Sequence, residues 1–299
     1  MTTQLQDVRM SDGCILKACI LNPADSHKPL LLTCHGAPGL STHGEPSLSY
    51  GPFTDLFRVL VADMRGSGAS SKQPPYTHSQ WIQDLDALRE WAGAETVTFI
   101  GASHGGFLGL EYALAYPERT DALLVGDTAA QFAHSCLLQA YKHALTDPRS
   151  KDVVDPDALI RLFTGTCKDM EDMLASFGSI SPLYANPRKE ETEVDVDVVL
   201  ADLVAPVLET HNAALGDCLS RYDVRDRLKE LKMPVFLWCG RHDWITPVEQ
   251  SEYLHRQIPQ SKLVIYEKSG HLCPLEEKTK FGQDVREFLK TANIPGLKV

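Results

Sequence analysis

Six short, continuous apolar runs set what this chain can fold into. Segments 30–34, 59–63, 97–101, 122–126, 235–240 and 263–266 show no polar alternation, so each predicts a strand covered on both faces. Helical patterns lie between them. Segment 79–91 repeats Trp81, Ile82, Leu85, Leu88 and Trp91 at helical spacing, with Ser79 as its predicted cap. Segment 105–116 is stopped by Pro117, and 249–257 reads as a further helix. Strand–helix alternation of this kind means an α/β fold with a mainly parallel sheet flanked by helices. Segment 8–21 adds an antiparallel hairpin turning at Asp12-Gly13.

The rhythm breaks from about 129 to 228. This stretch holds helical patterns at 157–163 and 198–215 but no strand, and the alternation resumes at Met233-Pro234. It predicts an all-helical cap, residues 129–228, inserted into a core made of 1–128 and 229–299. The acidic stretch Glu190, Glu191, Glu193, Asp195 and Asp197 reads as a solvated helix entrance rather than a cation site.

The 299 residues carry a formal charge of −11, which argues against a nucleic-acid partner or docking on anionic lipid. No run approaches the ~20 apolar residues that span a bilayer, and the polar start lacks the apolar segment of a signal peptide. The eight cysteines are scattered with no C-x-x-C pair, so they read as free, mostly buried thiols in a reducing, cytoplasmic setting. No metal or cofactor is expected. The expected partner is a small-molecule substrate, and a homo-oligomer is left open.

The chemistry is concentrated in Gly101-Ala102-Ser103-His104-Gly105-Gly106, which follows one predicted strand and opens one predicted helix. That is the setting of a G-x-S-x-G elbow, a turn tight enough to push a serine hydroxyl outward. A serine needs a base to take its proton, and the base should follow the last strand. His271, in Ser269-Gly270-His271, is the candidate. The base in turn needs a carboxylate on its far nitrogen. Asp243, after the penultimate strand, is favoured over Asp127, which follows segment 122–126, because it keeps the order Ser, Asp, His. Two backbone N–H groups should hold the oxyanion, those of His104 and of Ala37 in His35-Gly36-Ala37-Pro38-Gly39. Candidate substrate contacts are His35, Phe132, His134, Phe163, Phe177, Tyr184 and His211. Asp63 and Arg65 read as pins for a Gly-rich loop, not as catalytic groups.

With these residues placed, the chain resembles the α/β-hydrolase superfamily with a helical cap, and more narrowly the prolyl iminopeptidase-type hydrolases. His35-Gly36-Ala37-Pro38-Gly39 is similar to that group's H-G-G-P-G loop, and Asp63 to Ser70 matches D-x-R-G-x-G-x-S. Gly240-Arg241-His242-Asp243, Ser269-Gly270-His271 and Glu276-Glu277 also fit. The resemblance implies Ser103, Asp243 and His271 as the triad. Two departures stand out. His104 replaces the large aromatic of the peptidases' elbow, and segment 208–212 lacks the Trp-rich cap motif whose acid helps bind a free α-ammonium. The expected activity is therefore hydrolysis of an ester, lactone, thioester or amide of a small organic substrate. A proline iminopeptidase-type aminopeptidase is the second reading. A lyase, an acyl transferase or a ligand-binding receptor on the same fold are the remaining ones.

Overall fold

A computed structural model describes residues 4–133, 136–193 and 205–299. Its centre is one eight-stranded sheet in the order β1-β2-β4-β3-β5-β6-β7-β8. The strands are β1 (Gln6–Arg9), β2 (Ile15–Ile20), β3 (Leu30–Cys34), β4 (Arg58–Asp63), β5 (Val97–Ala102), β6 (Thr120–Gly126), β7 (Val235–Gly240) and β8 (Ser261–Tyr266). The hairpin β1–β2 is antiparallel and β2 joins β4 antiparallel, while the remaining neighbours run parallel. Every residue of β3, β5 and β7 is buried, as continuous apolar runs require of strands with helices on both faces. The outermost strands β1 and β8 are partly exposed.

The helices of the core are α1 (Gly44–Tyr50), α2 (His78–Trp91) and α3 (His104–Ala115), followed later in the chain by α8 (Val248–Gln257), α9 (Cys273–Glu276) and α10 (Lys278–Leu289). The cap of α2 is Thr77 rather than Ser79. Thr77 is extended and its hydroxyl accepts from Gln80 N at 3.2 Å, whereas Ser79 already lies inside the helix.

Strands β6 and β7 are direct neighbours, paired from Leu123↔Val235 to Gly126↔Trp238. Between them the described residues form α4 (Leu137–Thr146), α5 (Pro156–Thr164), α6 (Met170–Ile180) and α7 (Leu208–Ala213), with short 3-10 and π turns. Part of the predicted helix 198–215, along with Asp195 and Asp197, lies outside the described residues. Residues 205–207 are not helical. Pro206 disfavours helix at Ala205, and Ala205 N and Val207 N donate instead to Leu40 O (2.8 Å) and Gly39 O (2.7 Å). Those two bonds tie the inserted segment to the loop after β3. No helix among the described residues is long and apolar enough to cross a membrane.

Candidate active site

Ser103 stands between the end of β5 and the first turn of α3 with φ +56° and ψ −123°. A non-glycine residue held there stores strain of about 1–3 kcal/mol, which persists only where the surroundings over-determine it. They do so here. Ser103 N donates to Gly126 O at 3.1 Å, Thr128 Oγ1 donates to Ser103 O at 3.1 Å, and Gly106 N and Phe107 N both donate to Ser103 O. The flanking glycines allow the close approach. A Cβ on Gly101 would lie 2.7 Å from Gly105 O, and one on Gly105 would lie 2.4 Å from Cys34 O.

His271, in the loop after β8, is buried, and its Nδ1 lies 2.8 Å from Asp243 Oδ2. Asp243 is itself fixed. Its Oδ1 accepts from Ile245 N (3.0 Å) and Thr246 N (2.9 Å), and its Oδ2 also accepts from Thr246 Oγ1 (2.8 Å). His271 Nε2 is buried with no hydrogen-bond partner among the described residues. Burial pulls the basicity of His271 down. The Asp243 charge and hydrogen bond, helped by the charges of Asp127 and Glu45, outweigh that and raise it above its ordinary value. The loop that carries His271 is held from two sides. His271 N donates to Tyr184 O (2.8 Å), and the fully buried Glu276 accepts from Gly270 N (2.7 Å) and from Asn186 N in the inserted region (2.6 Å). Burial pushes the Glu276 carboxyl up to about 7. Its neighbour Glu277 accepts from Lys268 N and Ser269 Oγ.

Asp127 is fully buried at φ +46° and bonds elsewhere. Its carboxylate accepts from Trp238 Nε1 (3.1 Å), Gly240 N (3.1 Å) and Cys273 Sγ (3.4 Å). Burial, and next the Asp243 charge, push it up to about 7. Asp127, Cys239 and Asp243 bring possible ligand atoms within 4.8 Å of one another. Burial holds the Cys239 thiol well above its ordinary range, and both carboxylates already serve hydrogen-bond donors.

The loop after β3 puts Ala37 at φ +35° beside the elbow. His104 opens α3, where a backbone N–H has no intrahelical acceptor. Its side chain turns inward, packed edge-on against Trp81 (5.2 Å) and His78 (5.1 Å). Burial, with the neighbouring His78 and His35, keeps its ring neutral.

Ser103 and His271 open onto one cavity between the C-terminal ends of the strands and the inserted helices. Phe132, Phe163, Phe177, Tyr184 and His211, all candidate substrate contacts, line it. His134 lies outside the described residues. His35 does not line the cavity, because its Nδ1 bonds Gly36 O (2.8 Å) and its Nε2 accepts from Met64 N (3.3 Å), which ties the ring to the loops behind it. The sequence reading missed Glu45, Phe107, Leu162, Leu215, Leu219, Ile245 and Leu275 on the same wall. Their apolar members carry no signal that separates a pocket position from a core position. No Lys or Arg is among the described lining residues.

The Gly-rich loop after β4 is pinned as expected. Asp63 accepts from His43 N (2.7 Å) and Ala69 N (2.8 Å), and the buried Arg65 forks onto Asp84 (2.7 and 2.9 Å) and reaches Asp12 (2.7 Å). All eight cysteines are free, and seven are buried.

Residues 29–148 and 206–278 match the alpha/beta hydrolase fold family, and the chain belongs to it. It is 27% identical to a proline iminopeptidase, PfmaB, of Pestalotiopsis fici, over 93% of this chain and 97% of that one. It is 28% identical to 3-oxoadipate enol-lactonase 2 of Acinetobacter baylyi, over 81% of this chain and 82% of that one. A crystal structure of a hydrolase from Pseudomonas aeruginosa superposes with TM-score 0.76 at 25% identity, covering 97% of this chain and 99% of that one. The protein is thus a hydrolase-family member similar to the proline iminopeptidases.

Proposed function

We propose that the chain is a serine hydrolase that cleaves an ester, lactone, thioester or amide of a small, uncharged and largely apolar substrate. The observation that carries this reading is the strained Ser103 sharing one cavity with the buried His271–Asp243 pair. Ser103 attacks the carbonyl, and His271 Nε2 takes its proton. Asp243 keeps the other imidazole proton on Nδ1 and stabilises the imidazolium. The N–H groups of Ala37 and His104 hold the oxyanion. The imidazolium gives its proton to the departing alcohol, thiol or amine as the carbonyl bond to it breaks and the acyl group stays on Ser103, and water activated by the neutral His271 then releases the acid. Residues 129–228 act as the cap that walls the acyl pocket.

Apolar and aromatic side chains dominate the wall, and Glu45 is its one carboxylate among the described lining residues. A substrate carboxylate there meets like charge and no cation, a cost of at least about 1–3 kcal/mol. Across a panel of p-nitrophenyl esters, kcat/KM for hexanoate and benzoate is expected to exceed that for a free-acid succinate monoester by about 10-fold or more. Equal rates would refute the substrate class. His271 must be neutral to accept a proton, and its basicity is raised. The kcat/KM profile should therefore climb with pH through an acid limb centred above 6.5. A limb at or below 6.5 would contradict the assignment of the base.

The aminopeptidase reading draws support from the Pestalotiopsis relative, which matches nearly end to end. Cleavage of prolyl arylamide that stops when the amine is acylated would favour it.

A further inference from the structure

We infer that Glu45 is a positioning residue for the oxyanion loop, acting through Gly36 and Ser41. The inference rests on the acyl-transfer reading above, in which Ala37 N is an oxyanion donor. Glu45 sits in the first turn of α1. One of its oxygens, Oε2, accepts from both Gly36 N (2.9 Å) and Ser41 Oγ (2.6 Å). The two donors are the first and last residues of the loop 36–41. Inside it, Leu40 N and Ser41 N both donate to Ala37 O at 2.9 Å. A single carboxylate oxygen therefore closes the loop around Ala37.

Ala37 needs that closure. At φ +35° it is a non-glycine residue in a disfavoured backbone region, and such a conformation persists only where its neighbours impose it. Gly36 is buried, so its N–H would be orphaned without Glu45. The simplest relief is rotation of the peptides on either side of Gly36, one of which carries the Ala37 N–H. The nucleophile lies across the same residue. A Cβ on Gly36 would be 3.3 Å from Ser103 Cβ and 3.5 Å from Glu45 Oε2. A small turn of this loop thus changes where the donor points relative to the carbonyl that Ser103 attacks.

Among the described residues only Oε2 is bonded, and this separates geometry from charge. Gln can place its carbonyl oxygen at that position and keep both bonds, whereas Ala keeps neither. The test compares Glu45→Gln, Glu45→Ala and Ser41→Ala with the full-length parent. It measures kcat and KM on an ester, and the affinity for a trifluoromethyl ketone and for the matching methyl ketone. The fluorinated ketone adds Ser103 and forms a tetrahedral oxyanion, while the methyl ketone stays planar.

Glu45→Ala should lose about 10²-fold in kcat, the scale of one oxyanion donor, with KM within about threefold. Its affinity for the fluorinated ketone should fall in parallel, and that for the methyl ketone should hold. Glu45→Gln should recover most of both losses, and Ser41→Ala should fall between. Three results would overturn the inference: Glu45→Ala within about threefold of the parent on kcat, both ketones weakened alike, or Glu45→Gln no better than Glu45→Ala. Should Glu45→Ala fail to fold, Ser41→Ala decides alone: an unchanged affinity for the fluorinated ketone rejects the inference. A parent enzyme that forms no adduct with the fluorinated ketone would instead reject the acyl-transfer reading itself.

Discussion

Ser103→Ala is expected to lower kcat by about 10⁴-fold or more and to abolish labelling by a fluorophosphonate, with the fold intact. Removing the nucleophile of a serine–histidine pair leaves only the residual rate supplied by binding and the oxyanion donors. The variant should fold because the serine hydroxyl takes no part in the bonds that hold the elbow. Those run through Ser103 N and Ser103 O, which Ala retains. Ala keeps the φ +56° strain as well, so the melting temperature should stay close to that of the parent. Ser103→Gly provides the contrast. It removes the same hydroxyl and also relieves the strain, and it is expected to be more stable than Ser103→Ala by up to about 1 kcal/mol. A Ser103→Ala enzyme retaining more than a few per cent of turnover would remove Ser103 from the mechanism.

Much of this architecture is legible in the sequence, because the physics that sets it is local. A strand buried on both faces has to be a continuous apolar run, and β3, β5 and β7 are such runs. The elbow advertises itself because Gly101 and Gly105 answer to backbone atoms a few residues away or on the adjacent strand. What the sequence hides is long-range. Nothing in the sequence singles out Glu45, and only folding sets it against Gly36 N. Glu276 enters the sequence only as part of a family motif, and folding buries it between Gly270 N and Asn186 N, ninety positions apart in the second case. His35 looks like a pocket ligand because it opens the motif loop, and only the strand beside it shows that Met64 N claims its ring. The helix expected over 198–215 fails at 205–207 because Gly39 O and Leu40 O, far away in sequence, take those N–H groups first.

The choice between two buried acids gives the other large effect. Asp243→Asn is expected to lower kcat by about 10⁴-fold near neutral pH, through the tautomer of His271 rather than through loss of packing. The two backbone donors at Oδ1, Ile245 N and Thr246 N, cannot be turned around, so the amide oxygen of Asn must occupy that side. Its NH₂ then replaces Oδ2 and faces His271 Nδ1. To meet a donor, Nδ1 has to present its lone pair, which moves the imidazole proton to Nε2. A protonated Nε2 cannot accept the proton of Ser103. Asp127 offers no rescue, since its oxygens serve Trp238 Nε1, Gly240 N and Cys273 Sγ. The main cost of Asp127→Ala should instead fall on stability, about 2–4 kcal/mol for leaving two buried N–H donors unmet. The two variants are compared by steady-state turnover and by denaturant unfolding of the same preparations. If Asp127→Ala proved the more damaging to turnover while Asp243→Asn stayed active, the carboxylate serving the base would be the one after β6.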